Sequence, residues 1–600
     1  MCGIAGYLTR TALPDPSATA ARLGDSLKHR GPDEQGSFLT PRCGVVSARL
    51  SIIDIAHGQQ PFRSADGRVS VVQNGEIYNF VEVRKSLEAA GVCFNTSSDT
   101  EVILRAYEYW GRDFISRLNG MFAIAILDQR RNQLLLYRDR LGVKPLFLYN
   151  SPDGVYFASE IKSFLTVPGF DRTIDSESLY LYLVYNYVPL PRTIFKSVEH
   201  VPPAAEVVFD LDTLDRKQRQ YWSIANDPET DPGPVEGVVD RLDEIFRDAV
   251  RIRLRSDVPI GVFLSSGLDS SLVSAGLEAA EPGAREAYSV RFTDPDFDES
   301  VMAAETAKAF GWTQHCVDVD LSDLSLWQNV QYYADQPHGD ISFIALSKLS
   351  AKAGSRLKVV YTGDGGDEAF AGYDRYLRLI GLDRANPRAA LSEYFRIESV
   401  LDEEESLPKI CSPDFLKQIT PGAGFHLFEQ IAGEVSAKDP LNQVLYNDLR
   451  QLLPGTNLVK VDRMTMAHSL EARSPFLDYR FYEFLFQLPG EWKLQGRQIR
   501  PLERLLAERY LPKTTIYRPK KMLAVPIGNW FRTTWKEPLT RFFESEVDWS
   551  RGYFEPSEVK KLVASHISGS ADHRRALRAL IALELWFRSI EGKPMPQLFR

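Results

Sequence analysis

The second residue of this chain constrains its possible folds more than any other position. The sequence begins Met1-Cys2-Gly3, and removal of the initiator Met would place a thiol and a free α-amino group on Cys2. A thiolate is a strong nucleophile, and an α-amine titrates near pH ~8, so it can act as a base in neutral water. Taken alone, position two favours an ordinary small buried residue.

Four further motifs follow in the first third of the chain. They are His29-Arg30-Gly31-Pro32-Asp33, Arg49-Leu50-Ser51-Ile52-Ile53-Asp54, Asn74-Gly75-Glu76-Ile77-Tyr78-Asn79 and Ser98-Asp99-Thr100-Glu101. Together with the Cys2 start, they resemble the glutaminase domain of class II glutamine amidotransferases. Several spaced motifs in the same order are far more specific than any one of them. The resemblance favours Cys2 as a nucleophile over the ordinary buried residue.

Length and composition exclude several classes of protein. Six hundred residues are too many for one core, so we expect at least two domains. No apolar run reaches the length of a membrane span and no signal peptide is recognisable. The five cysteines are scattered without a CxxC pair, which fits a reducing cytoplasm that keeps Cys2 as a thiol. A net charge of -9 without a long basic block makes nucleic acid and anionic membranes poor candidate partners.

The hydrophobic pattern divides the chain into two parts. The first 210 residues carry short β-branched or aromatic runs interrupted by helical stretches, which indicates an α+β sandwich. The glutaminase resemblance implies the N-terminal nucleophile hydrolase type of that sandwich. The segment 226–234 has three prolines and one glycine and is predicted to be a linker or surface loop. We place the domain boundary between residues 205 and 235.

The second part, residues 235–600, has a different pattern. Strands are predicted at Val258–Leu264, Ala287–Phe292, His315–Val319 and Leu357–Thr362, with helices between them at Ser270–Ala280, Ser300–Phe310 and 342–353. Strands that alternate with helices indicate a parallel sheet with right-handed crossovers. From about residue 375 the periodicity is mostly helical. We therefore predict an α/β domain with a helical C-terminal part.

The loop Leu264-Ser265-Ser266-Gly267-Leu268-Asp269-Ser270-Ser271 follows the first of these strands. At this place backbone N–H groups converge and the helix dipole favours anions. No lysine follows, so it is not a GxxxxGK[ST] phosphate loop. It resembles the SGGxDS loop of ATP pyrophosphatases, with Ser266 where a glycine is usual. The alternative is a Ser/Gly-rich turn with a helix cap.

A second loop, Thr362-Gly363-Asp364-Gly365-Gly366-Asp367-Glu368, follows another strand of the same predicted sheet. Side chains at the carboxyl ends of parallel strands face the ligand crevice. Cleavage of ATP between its α and β phosphates needs Mg²⁺, which prefers carboxylate and phosphate oxygens. Asp269 and Asp367 are therefore the candidate metal ligands. The alternative for an Asp/Gly cluster is a plain turn.

Two later motifs complete the pattern, Leu458-Val459-Lys460-Val461-Asp462-Arg463 and the run from Ser469 to Asp478. With the two loops, they resemble the synthetase domain of glutamine-dependent asparagine synthetases, so that the resemblance covers the whole chain. It implies that glutamine is hydrolysed at the first site and that ammonia passes through an internal tunnel. At the second site ATP adenylates a carboxylate, and ammonia displaces AMP.

The resemblance also implies a role for individual residues of the glutaminase part. Cys2 would be the nucleophile, and Asn74 and Gly75 would supply oxyanion-hole donors. Arg49 would pair with the α-carboxylate of glutamine and Asp99 with its α-ammonium. The rest of the glutamine pocket would comprise Leu50, Ser51, Ile52, Ile53 and Glu76.

In the synthetase part, the resemblance assigns backbone groups of Leu264 and Val290 to adenine. The phosphates and the adenylated intermediate would lie against Ser265, Gly267, Asp269, Ser270, Thr362 and Gly363. Asp364 and Arg500 would act in catalysis. The acceptor acid should contact the loop 335–345 and residues around 364.

Two departures from the family pattern leave the acceptor acid open. Asp364 stands where glutamate is usual, and Arg500 stands where lysine is usual. Arg500 keeps the positive charge for pyrophosphate but cannot give up a proton. Aspartate, giving asparagine, is the first candidate. The alternative is another carboxylic acid in a natural-product, cell-wall or polysaccharide pathway.

Two other classes are disfavoured by particular residues. A regulatory relative with an inactive synthetase site would not need the intact loops 265–270 and 363–368. A synthetase-only ligase, such as a β-lactam-forming relative, would not need Cys2, Arg49, Asn74 and Asp99 together. Family relatives are often homodimers, and the sequence does not decide whether this chain forms one. We therefore expect a cytoplasmic enzyme that binds glutamine, ATP with Mg²⁺, and an acceptor carboxylate.

Overall fold

The computed structural model describes residues 2–224, 232–292, 297–320, 324–380, 387–435, 439–518, 527–594 and 596. Most of the linker predicted at 226–234 lies outside these ranges. Two antiparallel sheets and one parallel sheet organise the described chain. The N-terminal strands are β1 (Cys2–Thr9), β2 (Glu34–Leu39), β3 (Cys43–Arg49), β4 (Phe62–Arg63), β5 (Val69–Ile77), β6 (Gly120–Asp128), β7 (Gln133–Arg138), β8 (Phe147–Ser151), β9 (Gly154–Ala158), β10 (Val198–His200), β11 (Ala205–Asp210) and β12 (Arg216–Gln220).

The N-terminal strands form two six-stranded antiparallel sheets, in the orders β10-β8-β9-β1-β3-β2 and β12-β11-β7-β6-β5-β4. The two sheets pack face to face, because alternate apolar side chains of β1 (Ile4, Leu8) and of β5 and β6 (Val72, Ala125) share one buried cluster. Helices α1 (Pro16–Ser26), α2 (Phe80–Ala89) and α3 (Asp99–Trp110) cover the outer faces. This confirms the predicted α+β sandwich. Cys2 begins a central strand of the first sheet.

The C-terminal part contains the predicted parallel sheet. Its strands are β13 (Ile260–Phe263), β14 (Glu286–Phe292), β15 (Thr313–Val319), β16 (Val359–Tyr361) and β17 (Glu471–Arg473), in the order β15-β14-β13-β16-β17. A short hairpin, β18 (Leu494–Gln495) with β19 (Gln498–Ile499), follows. The α/β prediction is confirmed. β17 is an unpredicted fifth strand, because its three residues, Glu-Ala-Arg, carry no apolar strand pattern.

Helices account for most of the remaining chain, as predicted. They are α4 (Ser176–Tyr185), α5 (Val235–Arg253), α6 (Leu268–Ala280), α7 (Ser300–Ala309), α8 (Trp327–Ala334), α9 (Ser342–Gly354), α10 (Gly366–Phe370), α11 (Pro387–Glu398), α12 (Leu407–Ile410), α13 (Pro413–Leu416), α14 (Ala423–Ala432), α15 (Pro440–Asn447), α16 (Leu458–Met466), α17 (Tyr479–Leu485), α18 (Pro501–Ala507), α19 (Lys513–Ile516), α20 (Ile527–Arg532), α21 (Lys536–Arg541), α22 (Pro556–Ser568) and α23 (Arg574–Glu591). Among the described residues, no helix is long and apolar enough to cross a bilayer.

Two kinds of contact join the sandwich to the parallel-sheet part. The first is a small apolar cluster in which side chains of both parts meet: Leu50, Ile52, Tyr78, Met121, Ile252, Val359 and Met466. The second is a set of buried ion pairs, of which Arg30 with Asp462 is the most closely bonded, with Nη1–Oδ2 and Nη2–Oδ1 distances of 2.8 and 3.0 Å. Both kinds of contact lie next to the start of β1, so the junction of the two parts borders Cys2.

Candidate active sites

Cys2 lies at the buried beginning of β1, directly opposite Arg49 of β3. Its backbone nitrogen, which would be the α-amine once Met1 is removed, donates to Asn74 Oδ1 at 3.3 Å. Burial raises the pKa of the Cys2 thiol, although a backbone hydrogen bond from Leu50 and the charge of Arg49 oppose the shift. Little thiolate therefore forms unaided near pH 7, and the adjacent amine is the group placed to take the proton.

Asn74 and Gly75 lie on β5, which faces the start of β1. Both polar atoms of the Asn74 side chain form hydrogen bonds: Oδ1 accepts from the Cys2 nitrogen, and Nδ2 donates to Ser159 Oγ at 3.4 Å. Gly75 has φ of 139°, and a Cβ there would lie 1.9 Å from the carbonyl oxygen of Met121. Only glycine fits this position. Its conformation turns the strand at the point where the sequence predicts an oxyanion hole.

Asp99 is held in place by residues of β5. It begins α3, behind the N-cap Ser98, and its Oδ2 accepts from Gln73 Nε2 at 2.5 Å and from the Ile77 backbone at 3.0 Å. Burial raises the pKa of Asp99, while these two hydrogen bonds favour its ionised form. The carboxylate is thus fixed beside β5, where the resemblance puts the glutamine ammonium.

Glu76 follows Gly75 and points toward the second part of the molecule. Its Oε1 lies 3.8 Å from Arg473 Nη2 of β17. Burial, together with the neighbouring Glu471 and Asp99 carboxylates, raises the pKa of Glu76 well above its usual value. Glu76 therefore links the predicted glutamine pocket to the strand that borders the nucleotide site.

Arg49 and the residues after it form a tight structure beside Cys2. The Arg49 guanidinium donates to Glu34 at 2.9 Å and to the carbonyl oxygens of Ile53 and Asp54 at 3.1 and 2.8 Å. The Ser51 backbone donates to Asp33 at 2.8 Å, and the Ile52 carbonyl accepts from Asp257 of the second part at 3.0 Å. The predicted run 50–53 thus borders both Cys2 and the junction between the two parts.

The structure adds three residues near Cys2 that have no role among the sequence predictions. Gln60 places Nε2 3.9 Å from the Cys2 sulfur and accepts from the Gln73 backbone through Oε1 at 2.7 Å. Arg30 donates to the Cys2 carbonyl at 3.3 Å. Arg30 belongs to the motif His29–Asp33, which could have marked it as a site residue. Gln60 and Gln73 belong to no recognisable sequence motif.

The predicted phosphate loop joins β13 to α6. Gly267 is the N-cap of α6, and its backbone N–H donates to Ser265 Oγ at 3.1 Å. Ser265 Oγ and Ser270 Oγ lie 2.9 Å apart. Ser266, which replaces the usual glycine, has no positive φ, so the replacement costs no backbone strain. Its hydroxyl donates to Glu299 at 2.6 Å.

The acidic loop after β16 packs directly against this phosphate loop. A Cβ at Gly363 would lie 2.8 Å from both Asp269 Cβ and the Ser270 nitrogen. The Thr362 backbone donates to the Arg473 carbonyl at 2.9 Å, which fixes the loop to β17. The two loops therefore meet at one edge of the sheet, as the parallel topology predicts.

Arg500 lies between the two candidate metal ligands. Its Nη1 donates to Asp269 Oδ2 at 2.6 Å and to Glu503 at 3.2 Å, and its Nη2 donates to Asp367. Burial works to lower the pKa of Arg500, but the Asp269 and Glu503 carboxylates raise it above its usual value. A guanidinium that spans both carboxylates brings their oxygens to one spot beside the phosphate loop. Both carboxylates are bound to Arg500 here, so they would hold the predicted Mg²⁺ only if that guanidinium moved off them. The described residues contain no group of three or more His, Cys, Asp or Glu side chains that could hold a metal ion.

The neighbourhood of Asp364 contains a cation from α16. Lys460 Nζ lies 3.4 Å from Asp340, and its charge lowers the pKa of Asp364, although burial dominates and raises it. Asp340 thus borders the site as expected for loop 335–345. Asp335 does not, because Lys162 and Arg463 bind it at 2.8 and 3.0 Å at the junction of the two parts.

One cavity of about 900 Å³ contains most of the predicted nucleotide residues. Its walls include the predicted ATP residues Leu264, Ser265, Asp269, Ser270, Val290, Thr362 and Gly363, and also Asp364 and Asp367. Gly267 and Arg500 support the loops from outside the cavity wall. The Leu264 backbone already donates to Tyr288 at 2.9 Å and accepts from Ser289 at 2.6 Å. Its carbonyl retains a second lone pair, whereas its N–H is used within the sheet.

Comparison with known proteins gives the same two-part organisation. The glutamine amidotransferase domain model matches residues 1–222, and the asparagine synthase model matches residues 241–588. Asparagine synthetase [glutamine-hydrolyzing] 1 of Bacillus subtilis (strain 168) is 31% identical over 632 residues, which cover 100% of this chain and 98% of the relative. Amidase chyE of Penicillium rubens is 28% identical over 604 residues, which cover 87% of this chain and 85% of that protein.

Among solved structures, glutamine phosphoribosylpyrophosphate amidotransferase from B. subtilis aligns with 52% of this chain and 65% of its own, at 17% identity and a TM-score of 0.28. The sequence matches extend much further along the chain. A family model that covers more than half of the chain, together with a relative of 31% identity along its whole length, shows that the chain belongs to the asparagine synthase family and is a ligase of the glutamine-hydrolysing type.

Proposed function

We propose that the chain couples glutamine hydrolysis at Cys2 to ATP-dependent amidation of aspartate, giving asparagine, AMP and pyrophosphate. The observation that carries this proposal is the meeting of the two loops, where Gly363 packs on Asp269 and Ser270 at the edge of the large cavity. A helix N-terminus, two serine hydroxyls and two carboxylates converge there on one spot. Such a site suits a polyphosphate whose charge is shared with a cation.

The first half-reaction uses groups already assembled around Cys2. The α-amine, held by Asn74, takes the thiol proton as sulfur attacks the glutamine amide carbon. Gly75 and its neighbours stabilise the oxyanion that develops. Collapse of this intermediate expels ammonia and leaves a γ-glutamyl thioester, which water then hydrolyses. Asp99 and Arg49 hold the two charged ends of glutamine.

The second half-reaction begins with attack of the acceptor carboxylate on the α-phosphorus of ATP. Ser265 and Ser270 donate hydrogen bonds to the phosphates, and Arg500 would stabilise the departing pyrophosphate once it exchanges one of its carboxylate partners for a phosphate oxygen. Mg²⁺, if held by Asp269 and Asp367, would neutralise phosphate charge. Ammonia then attacks the acyl carbon and AMP leaves. Asp364 lies at the cavity wall where it can accept a proton from the attacking ammonia.

Ammonia must pass between the two sites without escaping. The apolar cluster of Leu50, Ile52, Tyr78, Met121, Ile252, Val359 and Met466 lies between the residues that follow Arg49 and the strand that precedes Thr362. A neutral ammonia molecule crosses such a region more readily than a charged ammonium ion, because burial of an unpaired ion is costly. We therefore propose this cluster as the path.

The acceptor acid is the least constrained part of the proposal. The full-length relative is named for asparagine synthesis, whereas a second relative that covers most of the chain carries the name of an amidase. Asp364 and Arg500 depart from the family pattern close to where the acceptor and pyrophosphate would lie. An acid other than aspartate is therefore the second candidate.

The experiment is a product assay of the purified chain with glutamine and Mg-ATP. Aspartate at millimolar concentration should stimulate AMP and pyrophosphate release far more than other carboxylic acids do. Asp269→Asn should cripple this release and spare glutamine hydrolysis, because the two sites are separate. Formation of ADP and phosphate would rule out adenylation. Release of AMP with a larger acid but not with aspartate would replace the asparagine assignment with the second candidate.

A further inference from the structure

A second cavity of about 270 Å³ lies beside the nucleotide cavity, and here it is called the α23 pocket. Its walls come from the end of α4, from α11, from the π-helical segment Asp448–Asn457 and from α23. Four residues line both cavities: Asp340, Arg375, Glu398 and Asn457. The two cavities therefore adjoin each other along these four residues, and a ligand in the nucleotide cavity that reaches past them would enter the α23 pocket.

Polar atoms on the wall of the α23 pocket lack partners. Within the described residues, five of its buried side-chain atoms make no hydrogen bond: Asn186 Oδ1, His338 Nε2, Arg375 Nε, Tyr394 Oη and Arg578 Nε. Nearly all buried polar atoms in folded proteins are paired with protein or with ordered water. A concentration of unpaired atoms around one cavity indicates a polar occupant.

The acidic side chains of the pocket are already neutralised by basic partners. Each of its three carboxylates forms an ion pair: Asp340 with Lys460, Glu398 with Arg378 and Asp448 with Arg375. These pairs leave no carboxylate available for the arginines of α23.

Two arginines of α23 remain without a carboxylate partner in the described part of the chain. Arg575 donates to the backbone carbonyl oxygens of Ile397 and Glu398. Arg578 makes no ion pair there, and it lies three residues further along, on the same side of the helix. Burial lowers the pKa of both guanidinium groups, yet arginine keeps its charge in proteins. The charges of Glu398 and Asp340 act on Arg575 and Arg578, but no carboxylate of the described residues forms an ion pair with either guanidinium, so both can bind a further anion.

We infer that the α23 pocket holds the end of the acceptor acid that does not react, and that this end carries an anionic group bound by Arg575 and Arg578. The inference rests on the proposed function, because it assumes that a carboxylate is adenylated in the adjoining cavity. The ligand class is an acid with two anionic ends. Aspartate, through its α-carboxylate, and a longer diacid are the two sources of this chemistry, and a monocarboxylate is excluded.

The substitution Arg578→Gln removes one charge and keeps a similar length of side chain. Arg578→Lys keeps the charge without the planar fork, and Arg574→Gln is the matched control, since Arg574 is exposed on the same helix and lies outside the pocket wall. Thermal unfolding of each variant shows whether the fold is intact. If Arg578→Gln does not fold, Arg575→Gln replaces it in the comparison.

The test compares each diacid with its analogue that lacks the second carboxylate: L-aspartate with β-alanine, and 2-aminoadipate with 5-aminopentanoate. Binding is measured by calorimetry in the presence of Mg²⁺ and a non-hydrolysable ATP analogue, and turnover by pyrophosphate release. The wild type should bind at least one diacid tenfold or more tightly than its analogue. Arg578→Gln should remove most of that preference, Arg578→Lys should restore part of it, and Arg574→Gln should leave it unchanged. A gain of this size is what one charge-assisted hydrogen bond provides.

The outcomes separate this inference from the proposed function. Three results would overturn the inference even if pyrophosphate is released. They are equal binding of diacids and their analogues, no binding of any diacid, and a diacid affinity that Arg578→Gln leaves unchanged. Diacid binding that depends on Arg578, with no pyrophosphate release from any acid, would instead overturn the proposed reaction. The length of the preferred diacid distinguishes aspartate from a longer acceptor.

Discussion

Replacing Arg30 by Met would test whether buried ion pairs hold the two parts of the molecule together. The Arg30 side chain is fully buried. Its guanidinium lies 2.8 Å from Glu160 Oε1 and 2.8 Å from Asp462 Oδ2, and it also donates to the Cys2 carbonyl. One side chain thus joins the nucleophile strand to α16. Met fills a similar volume without the charge.

The size of the expected loss of stability depends on which basic partners Glu160 and Asp462 keep when Arg30 is removed. Glu160 keeps Arg463 at 2.9 Å and an ion pair with Lys162, whereas Asp462 keeps only Lys144 at 3.4 Å and Arg463 at 3.9 Å. Removing one member of a buried ion pair typically costs ~3–5 kcal/mol. Because Glu160 stays well paired, we expect a loss near the lower end, about 3 kcal/mol in the free energy of unfolding.

The assay has a stability readout and a functional one. Denaturant unfolding should show the loss for Arg30→Met, while Arg192→Gln, which removes an exposed pair, should unfold close to the wild type. The ratio of glutamine hydrolysed to AMP released should rise above one in Arg30→Met, because a loosened junction lets ammonia escape. A double variant with Asp462→Asn should lose less than the sum of the single variants, because Arg30 and Asp462 bind each other directly and each single variant already breaks that pair. If Arg30→Met has the same free energy of unfolding as the wild type, the reasoning is refuted.

Three further predictions concern other buried groups. Cys2→Ala should abolish the use of glutamine but retain synthesis with added ammonium. Cys2→Ser should be severely impaired, because a hydroxyl ionises little near neutral pH. Full glutaminase turnover in Cys2→Ala would exclude Cys2 as the nucleophile. Because burial raises the pKa of the Cys2 thiol, the kcat/KM for glutamine should rise between pH 6 and about 8 as the α-amine loses its proton; a flat profile would indicate a preformed thiolate. Burial lowers the pKa of Lys493 to about 7, so above pH 7 the unfolded chain binds one proton more than the folded chain does. The Tm of the wild type should therefore rise relative to that of Lys493→Met between pH 7 and 9. Parallel Tm curves of the two proteins would contradict this.

The elements that follow hydrophobic periodicity were predictable from the sequence. β14 and β15 lie at the strands predicted at 287–292 and 315–319, and α6 begins at the loop whose serines and glycine indicated it. The two nucleotide loops were predictable because the ends of parallel strands must share one edge. Their contact at Gly363 is a consequence of topology, not of any single motif.

The junction of the two parts could not be predicted in this way. Arg30 and Asp462 are 432 residues apart, and nothing in a local pattern marks two charged residues as partners. β17 was missed for the same reason: its buried Glu471 and Arg473 bind each other at 2.5 Å, and Arg473 also donates to the carbonyl oxygens of the distant Arg253 and Arg255. The α23 pocket likewise depends on separate segments of the chain that meet only in the folded protein.

The division of the junction into an apolar and a charged region has a chemical consequence for ammonia. In water near pH 7 most ammonia would take up a proton and lose its lone pair. An apolar environment shifts that equilibrium toward the neutral form, since burial of an unpaired cation is unfavourable. The cluster around Leu50, Met121 and Val359 provides such an environment. The carboxylates of the charged region have basic partners of their own, as Asp462 does with Arg30 and Lys144. They therefore have little tendency to capture a passing ammonium ion, so the proposed path delivers ammonia in the form that can attack an acyl-AMP.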